Sequence, residues 1–288
     1  MQVHPLTTAA APTPHTDQDA RLVALAVDGD RAALDALVRR HQPFIYNVAW
    51  RMVHDPNDAK DLTQEVLIKV ITKLSRFEGK SAFRTWLYRI VVNEFLQTKR
   101  RPAEAQFGSF EEYGAQLDAV PNPELNAEEE IVLAEASLEM KTRCMAGMLM
   151  CLDREQRLTY ILGETFGVDH KLGAELFGIS PANFRVRLHR ARKDLHSYMQ
   201  NKCGLVDPAN PCRCPKKAKA LVAMGHLDRD TKTFSADYRH TVRELVDARH
   251  DDLAAAIDRQ IIDLRRGQPF RTDIAVDESL AEVLEYFE

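Results

Sequence analysis

The sequence predicts an all-α chain: two small helical domains, a flexible acidic linker between them, and a helical C-terminal extension. Three observations predict it. Apolar residues recur at helical spacing over long stretches, with no strand-period alternation of useful length and no internal repeat. Charge is segregated: the formal net charge is −4, yet Pro102–Met140 holds no Lys or Arg while acidic residues from Glu104 to Glu139 accumulate. Basic residues gather on either side of that segment. Finally, Ser180–Leu195, SPANFRVRLHRARKDL, has the form of the second helix of a helix-turn-helix. A length of 288 residues accommodates two or three modest domains.

The elements follow in order. Residues 1–18, rich in Ala, Pro and Thr, read as a disordered tail. Residues 19–102 read as the first helical domain. Leu34, Leu37, Val38, Ile45, Val48, Ala49 and Met52 make the buried side of a first long helix or helix pair. Asp55-Pro56-Asn57-Asp58 is a turn and cap, and the next helix runs from about Asp58 to Ser75 with Leu62, Val66, Val70, Ile71 and Leu74 inward. A loop at Arg76–Ser81 precedes a third helix, with Phe83, Trp86, Leu87, Ile90 and Val91 on one side and Lys99-Arg100-Arg101-Pro102 at its end. Residues 103–135, with Pro, Gly and many acids, read as the flexible linker, and 136–200 as the second domain. In the extension, 201–288, prolines at 208, 211 and 215 make Leu205–Lys219 an irregular loop. A helical stripe runs Val242–Leu264, and a short helix near Asp277–Phe287. That stripe needs a partner: the second domain, or another protein.

Four groups of residues carry chemistry. In the helix-turn-helix, Lys171–Phe177 is a short amphipathic helix, Gly178 permits the tight turn, Ile179 plugs it, Ser180 caps the next helix and Pro181 suits its first position. Phe184, Leu188, Ala191 and Leu195 form the inward stripe, and Asn183, Arg185, Arg187, His189, Arg190, Arg192 and Lys193 surround it. This is charge suited to phosphates; the plain alternative is a solvated amphipathic helix. Second, Asp58, Asp61, Gln64 and Glu65 lie on the polar part of an otherwise apolar helix, either a wet face or a dock for an arginine-bearing partner helix. Third, Phe77, Ser81, Arg84, Arg89, Asn93, Lys99, Arg100 and Arg101 interleave rings with cations, which suits single-stranded or melted DNA. Trp86 falls on the apolar stripe and reads as core.

Fourth, Cys203, Cys212 and Cys214 share a Pro-rich loop followed by lysines. Three readings stand: a zinc site completed by His196 or His226, a redox switch with thiolates favoured by adjacent cations, or plain reduced thiols. Cys144 and Cys151, in a Met-rich helical stretch, read as core. Five cysteines do not suggest a disulfide framework. No run of about 18 apolar residues and no signal-peptide pattern occurs, which predicts a cytoplasmic protein without a membrane partner. No nucleophile–base pair, phosphate-cradling loop or paired-carboxylate site stands out, so no enzyme is expected, and no cofactor is required.

DAKDLTQEVLIKV followed by FEGKSAFRTWLYRIVVNEFL resembles the second conserved region of extracytoplasmic-function sigma factors, and GISPANFRVRLHRARKDL is similar to their fourth region. Order and spacing agree over roughly Asp19–Met199. The resemblance implies a transcription initiation factor that directs core RNA polymerase to promoter DNA and helps melt it. Asp58, Asp61, Gln64 and Glu65 would meet the polymerase clamp. The Phe77–Phe83 loop would form a pocket for a flipped base of the minus-ten element. The Arg185–Arg192 helix would enter the major groove of the minus-thirty-five element, and the linker would run near the RNA exit path. The region after Met199 lies outside the family pattern; being long, amphipathic and cysteine-bearing, it is expected to regulate the factor, and an anti-sigma factor is a candidate partner. The rival reading is a stand-alone helix-turn-helix operator-binding regulator. A thiol or metal enzyme centred on Cys203–Cys214 is a second. Two departures stand out: the stretch GETFGVDHKLGAELFG entering the turn, and Phe184 where a smaller aliphatic residue is usual. They bear on upstream-element preference more than on binding.

Overall fold

A computed structural model describes residues 14–99, Glu104 and 106–227, with side chains from Gln18 onward. Residues 1–13, Arg100 and Arg101, and the helices expected at 242–264 and 277–287 lie outside the described residues. The described helices are α1 (Pro14–Val27), α2 (Arg31–Val53), α3 (Pro56–Lys73), α4 (Phe83–Gln97), α5 (Phe110–Ala119), α6 (Ala127–Val132), α7 (Ala134–Met150), α8 (Arg154–Tyr160), α9 (His170–Phe177), α10 (Pro181–Lys202) and α11 (Cys214–Ala223). Among the described residues the extended pairing is one isolated bridge between Cys203 and Cys212. No helix among them is long and apolar enough to cross a membrane.

The chain divides into two compact units, which cut it between α7 and α8 and again within α10 after Leu188. The first unit takes the chain through Glu104 together with Arg154–Leu188. Asp30 opens α2 by accepting from the Ala33 N–H at 3.1 Å. Asp55, rather than Asp58, opens α3: its carboxylate accepts from the N–H groups of Asn57 and Asp58, both at 2.9 Å, and Pro56 occupies the first turn, where no donor is needed. Leu37, Ile45, Val48 and Met52 of α2 pack on Leu62 and Val66 of α3 and on Val91 and Phe95 of α4. Leu158, Ile161, Leu162, Phe166 and Leu176 continue the same core. Phe44 is a junction, stacked on Tyr88 at 3.9 Å between centroids and edge-on to Phe166 at 5.3 Å. Each such buried side chain contributes about 1.5–3 kcal/mol relative to exposure.

This core also encloses charge. The Glu104 carboxylate is fully buried and pairs with Arg154 and Arg157, each at 2.9 Å. Arg157, 1% exposed, also donates to the Met52 carbonyl at 2.5 Å, and Arg154 donates to the carbonyl of Thr98. A buried charge survives only with such partners.

The second unit holds, among the described residues, 106–153 and 189–227. The stretch expected as a flexible linker is folded here. Ser109 and Glu112 form a reciprocal capping box that starts α5, and Asn126 and Glu129 form another that starts α6. Tyr113 is buried and donates to the Cys144 carbonyl at 3.2 Å, while Tyr198 of α10 lies 5.3 Å from Phe110 and 6.0 Å from Tyr113, ring to ring. The irregular loop expected over 205–219 holds for 205–213 and gives way to α11 from Cys214, where Pro215 falls in the first turn and breaks nothing. Ala218, Leu221 and Val222 of α11 pack on Ala136 and Met140 of α7 and on Leu117 and Leu125.

Candidate nucleic-acid interface

The helix-turn-helix is built from local chemistry. Asp169 starts α9, its carboxylate accepting from the N–H groups of Lys171 at 2.7 Å and Leu172 at 3.1 Å. Gly178 ends α9 at φ +64°, the left-handed geometry that costs a side-chain-bearing residue most, and its N–H returns to the Ala174 and Glu175 carbonyls. Ser180 then accepts from the Asn183 N–H at 3.1 Å and starts α10. Phe184, Ala191, Leu195 and Met199 are buried and Leu188 is half-buried, which is the expected stripe. The unusual Phe184 has a partner in Gly173: a Cβ there would sit 2.4 Å from Phe184 Cζ, so the ring fills the space a side chain would take.

The opposite face of α10 presents Ser180, Asn183, Arg185, His189, Arg190 and Lys193 to solvent. Arg185, His189 and Lys193, four apart, share one side of the helix. Arg187 is placed differently. It pairs with Glu155 at 2.7 Å, and its guanidinium lies 5.4 Å from the Phe177 ring centroid. Glu155 and Phe177 drew no notice in the sequence, because their partner lies on another helix.

In α3, Asp61 is exposed and Asp58, Gln64 and Glu65 are half-buried, on the side away from Leu62 and Val66. Beyond α3, Phe77 lies 5.5 Å from both Phe83 and Trp86, ring to ring, and all three rest against the core. Trp86 is therefore packed as its position on the stripe implied. Ser81 donates to the Ala82 carbonyl at 3.3 Å. Asn93 and Lys99 are exposed, whereas Arg89 pairs with Glu175 of α9 at 2.9 Å. Arg84 is half-buried and its charge acts on Asp19. Asp19 is buried beside Arg40, at 2.8 Å, and His41, at 3.3 Å. Burial alone would raise its pKa. The His41 hydrogen bond and the charges of His41, Arg40 and Arg84 outweigh burial and hold the carboxyl below its usual range.

Cys214 is buried and the other four cysteines are half-buried. All five are free thiols. Burial is the first cause that raises the pKa values of Cys144, Cys203, Cys212 and Cys214, and neighbouring thiols add to it at Cys144, Cys212 and Cys214. Cys144 is pushed up to about 12. Arg213, Lys217 and Lys141 pull the other way but do not prevail, so nearby cations do not favour thiolates here. Among the described residues no three His, Cys, Asp or Glu side chains are placed to hold a metal ion, so Cys203, Cys212 and Cys214 with His196 or His226 do not make the zinc ligand set that the sequence offered.

Sequence profiles of two domains match the chain: Sigma-70 region 2 over residues 37–104 and Sigma-70, region 4 over residues 142–195. The ECF RNA polymerase sigma factor SigE of Mycolicibacterium smegmatis is 30% identical over 191 residues, covering 64% of this chain and 69% of that one. The RNA polymerase sigma-H factor of Pseudomonas aeruginosa is 30% identical over 192 residues, covering 64% of this chain and 95% of its own. The chain belongs to the ECF RNA polymerase sigma factors. The ECF sigma-E factor of Escherichia coli is likewise 30% identical over 190 residues, 63% of this chain and 94% of that one. Among solved structures, one described as CnrH in complex with the cytosolic domain of CnrY matches with a TM-score of 0.45 and 25% identity, over 64% of this chain and 98% of that one. As an ECF sigma factor this chain directs RNA polymerase to promoters and is not itself an enzyme. Its C-terminal extension lies beyond the coverage of the relatives.

Proposed function

We propose that this sigma factor uses three contact surfaces, two on the domain read as 19–102 and one on the domain read as 136–200. The α3 face with Asp58, Asp61, Gln64 and Glu65 docks on core polymerase. Phe77, Ser81, Arg84, Arg89, Asn93 and Lys99, with Arg100 and Arg101, meet the minus-ten element and stabilise its melted form. Ser180, Asn183, Arg185, His189 and Arg190 meet the upstream element in the major groove, with Arg187 bracing the helix from behind. The observation that carries this reading is α10 itself: a capped helix with a buried apolar stripe and a solvent-facing cationic side. Arg89, which pairs with Glu175 here, would turn part of its guanidinium to a phosphate when the promoter is engaged. The factor works in the cytoplasm with the polymerase. An anti-sigma protein would restrain it by covering one of these surfaces. No metal takes part in this reading.

The test is reconstitution with core polymerase on a promoter library, reading transcript starts. Arg185→Ala should weaken upstream-element binding and lower the salt slope by about 1. Arg187→Ala should instead lower stability as well as binding. Failure of the purified chain to associate with core polymerase would overturn the assignment of the α3 face. Tight sequence-specific duplex binding without polymerase would favour the operator-regulator reading.

A further inference from the structure

The acidic connector, residues 106–132, is held by Tyr113 against Cys144 and Tyr198 and, at its other end, by the extension. The last turn of α5 leaves backbone carbonyls without helical partners, as every helix end does. Lys217, 2% exposed, reaches from α11 and donates to the Val120 carbonyl and, at 2.6 Å, to the Leu117 carbonyl, which also accepts from the Val120 N–H at 3.3 Å. A cation at that end also suits the helix dipole. On either side of this anchor, Lys216 pairs with Glu124 at 2.7 Å, and Lys219 pairs with Glu129 at 2.6 Å while donating to the Glu124 carbonyl at 2.8 Å. Hydrogen bonds from Lys216 and Lys219 hold the carboxyls of Glu124 and Glu129 below their usual range. Leu117 and Leu125 of the connector close the contact against Leu221 and Val222.

We propose that α11 is a latch whose partner is the chain's own acidic connector, and that core polymerase engages the factor fully only after Lys216, Lys217 and Lys219 let the connector go. This rests on the polymerase-binding reading above. Two features favour release over permanent closure. The flanking ion pairs are solvated, with the Glu124 side chain 91% exposed, so salt or a competing charged surface weakens them. The connector carries no Lys or Arg between Pro102 and Met140, so once freed it is a polyanion able to follow a basic channel. The latch also explains why an extension outside the relatives' coverage is folded into the second unit at all: its lysines neutralise a segment that otherwise repels itself.

Hydrogen exchange on the full chain tests the latch without polymerase. Lys217→Met keeps the apolar stem and removes the ammonium; amides of α5 and the following residues to Leu125 should exchange about tenfold faster, the value of one lost hydrogen bond. The surface pair Lys216→Glu/Lys219→Glu, which leaves the anchor in place, should speed them severalfold, and adding Glu124→Lys/Glu129→Lys should restore protection. The Lys216→Glu/Lys219→Glu chain should also bind core polymerase severalfold more tightly. Unchanged exchange in both lysine variants overturns the latch. Faster exchange with unchanged or weaker polymerase affinity overturns release as a requirement for engagement. If the unaltered chain binds no polymerase, the functional reading fails, and the exchange result still decides whether the latch exists.

Discussion

Each unit is tied together by ionic contacts between residues far apart in sequence, but their settings differ. In the first unit, Glu104 meets Arg154 and Arg157 with the carboxylate fully buried and Arg157 1% exposed. In the second, Lys216 and Glu124 meet with the carboxylate 91% exposed, and among the three latch lysines Lys217 alone is buried, satisfied by carbonyls rather than by an opposing charge. Dehydrated charges cannot be separated without leaving one of them stranded. Hydrated ones can trade a protein partner for water or for another ion at little cost. The Glu104 cluster is therefore committed to its closed form, and the contact of α11 with the connector is arranged to open.

The comparison can be broken most decisively at Glu104. Glu104→Gln should destabilise the chain by about 3–5 kcal/mol, because Arg157 would stay buried without its counter-ion. Urea unfolding would show this, and a loss below about 1 kcal/mol would mean the cluster is wetter than its geometry shows. Lys217→Met comes next, at about 1–3 kcal/mol for the stranded Val120 carbonyl, read the same way. Gly173→Ala probes tight packing without charge and should cost about 1–3 kcal/mol by overpacking. Adding Phe184→Leu should recover most of that loss, which a double-mutant cycle would quantify.

A weaker effect is set by pH. Asp19 has a depressed folded pKa, so its contribution is present above the unfolded value of about 3.9 and is lost as pH falls through the folded value. Asp19→Asn should flatten the acid limb of the stability profile below about pH 4 and leave the neutral region's slope unchanged. The smallest effect on stability belongs to Lys216→Glu/Lys219→Glu. Its melting temperature should hardly move, while the salt dependence of connector protection should disappear.

The helix-turn-helix was legible because its determinants are neighbours: the Asp169 cap, Gly178, Ser180 and the Phe184–Leu195 stripe act within a few residues of one another. The polar side of α3 was legible for the same reason, though Asp55 takes the cap that the sequence reading left to the turn as a whole. The connector was misread despite a visible signal. Ser109-x-x-Glu112 and Asn126-x-x-Glu129 are both capping boxes, and the density of acid and proline hid them. In α11, Pro215 counted as a breaker when its first-turn position made it harmless. The roles of Glu104, Arg157 and Lys217 could not be read locally. Glu104 and Arg157 are 53 residues apart, and Lys217 and Leu117 are 100 apart. The thiols were misjudged for a related reason: sequence shows the lysines beside them but not how deeply the fold encloses them.

The fit between Phe184 and the bare backbone at Gly173 has a practical consequence. Promoter preference cannot be re-engineered by transplanting the recognition helix by itself. A recipient scaffold carrying any side chain at the facing position would jam against the aromatic ring and tilt the grafted helix out of register with the DNA bases. The two positions have to be moved as a matched set.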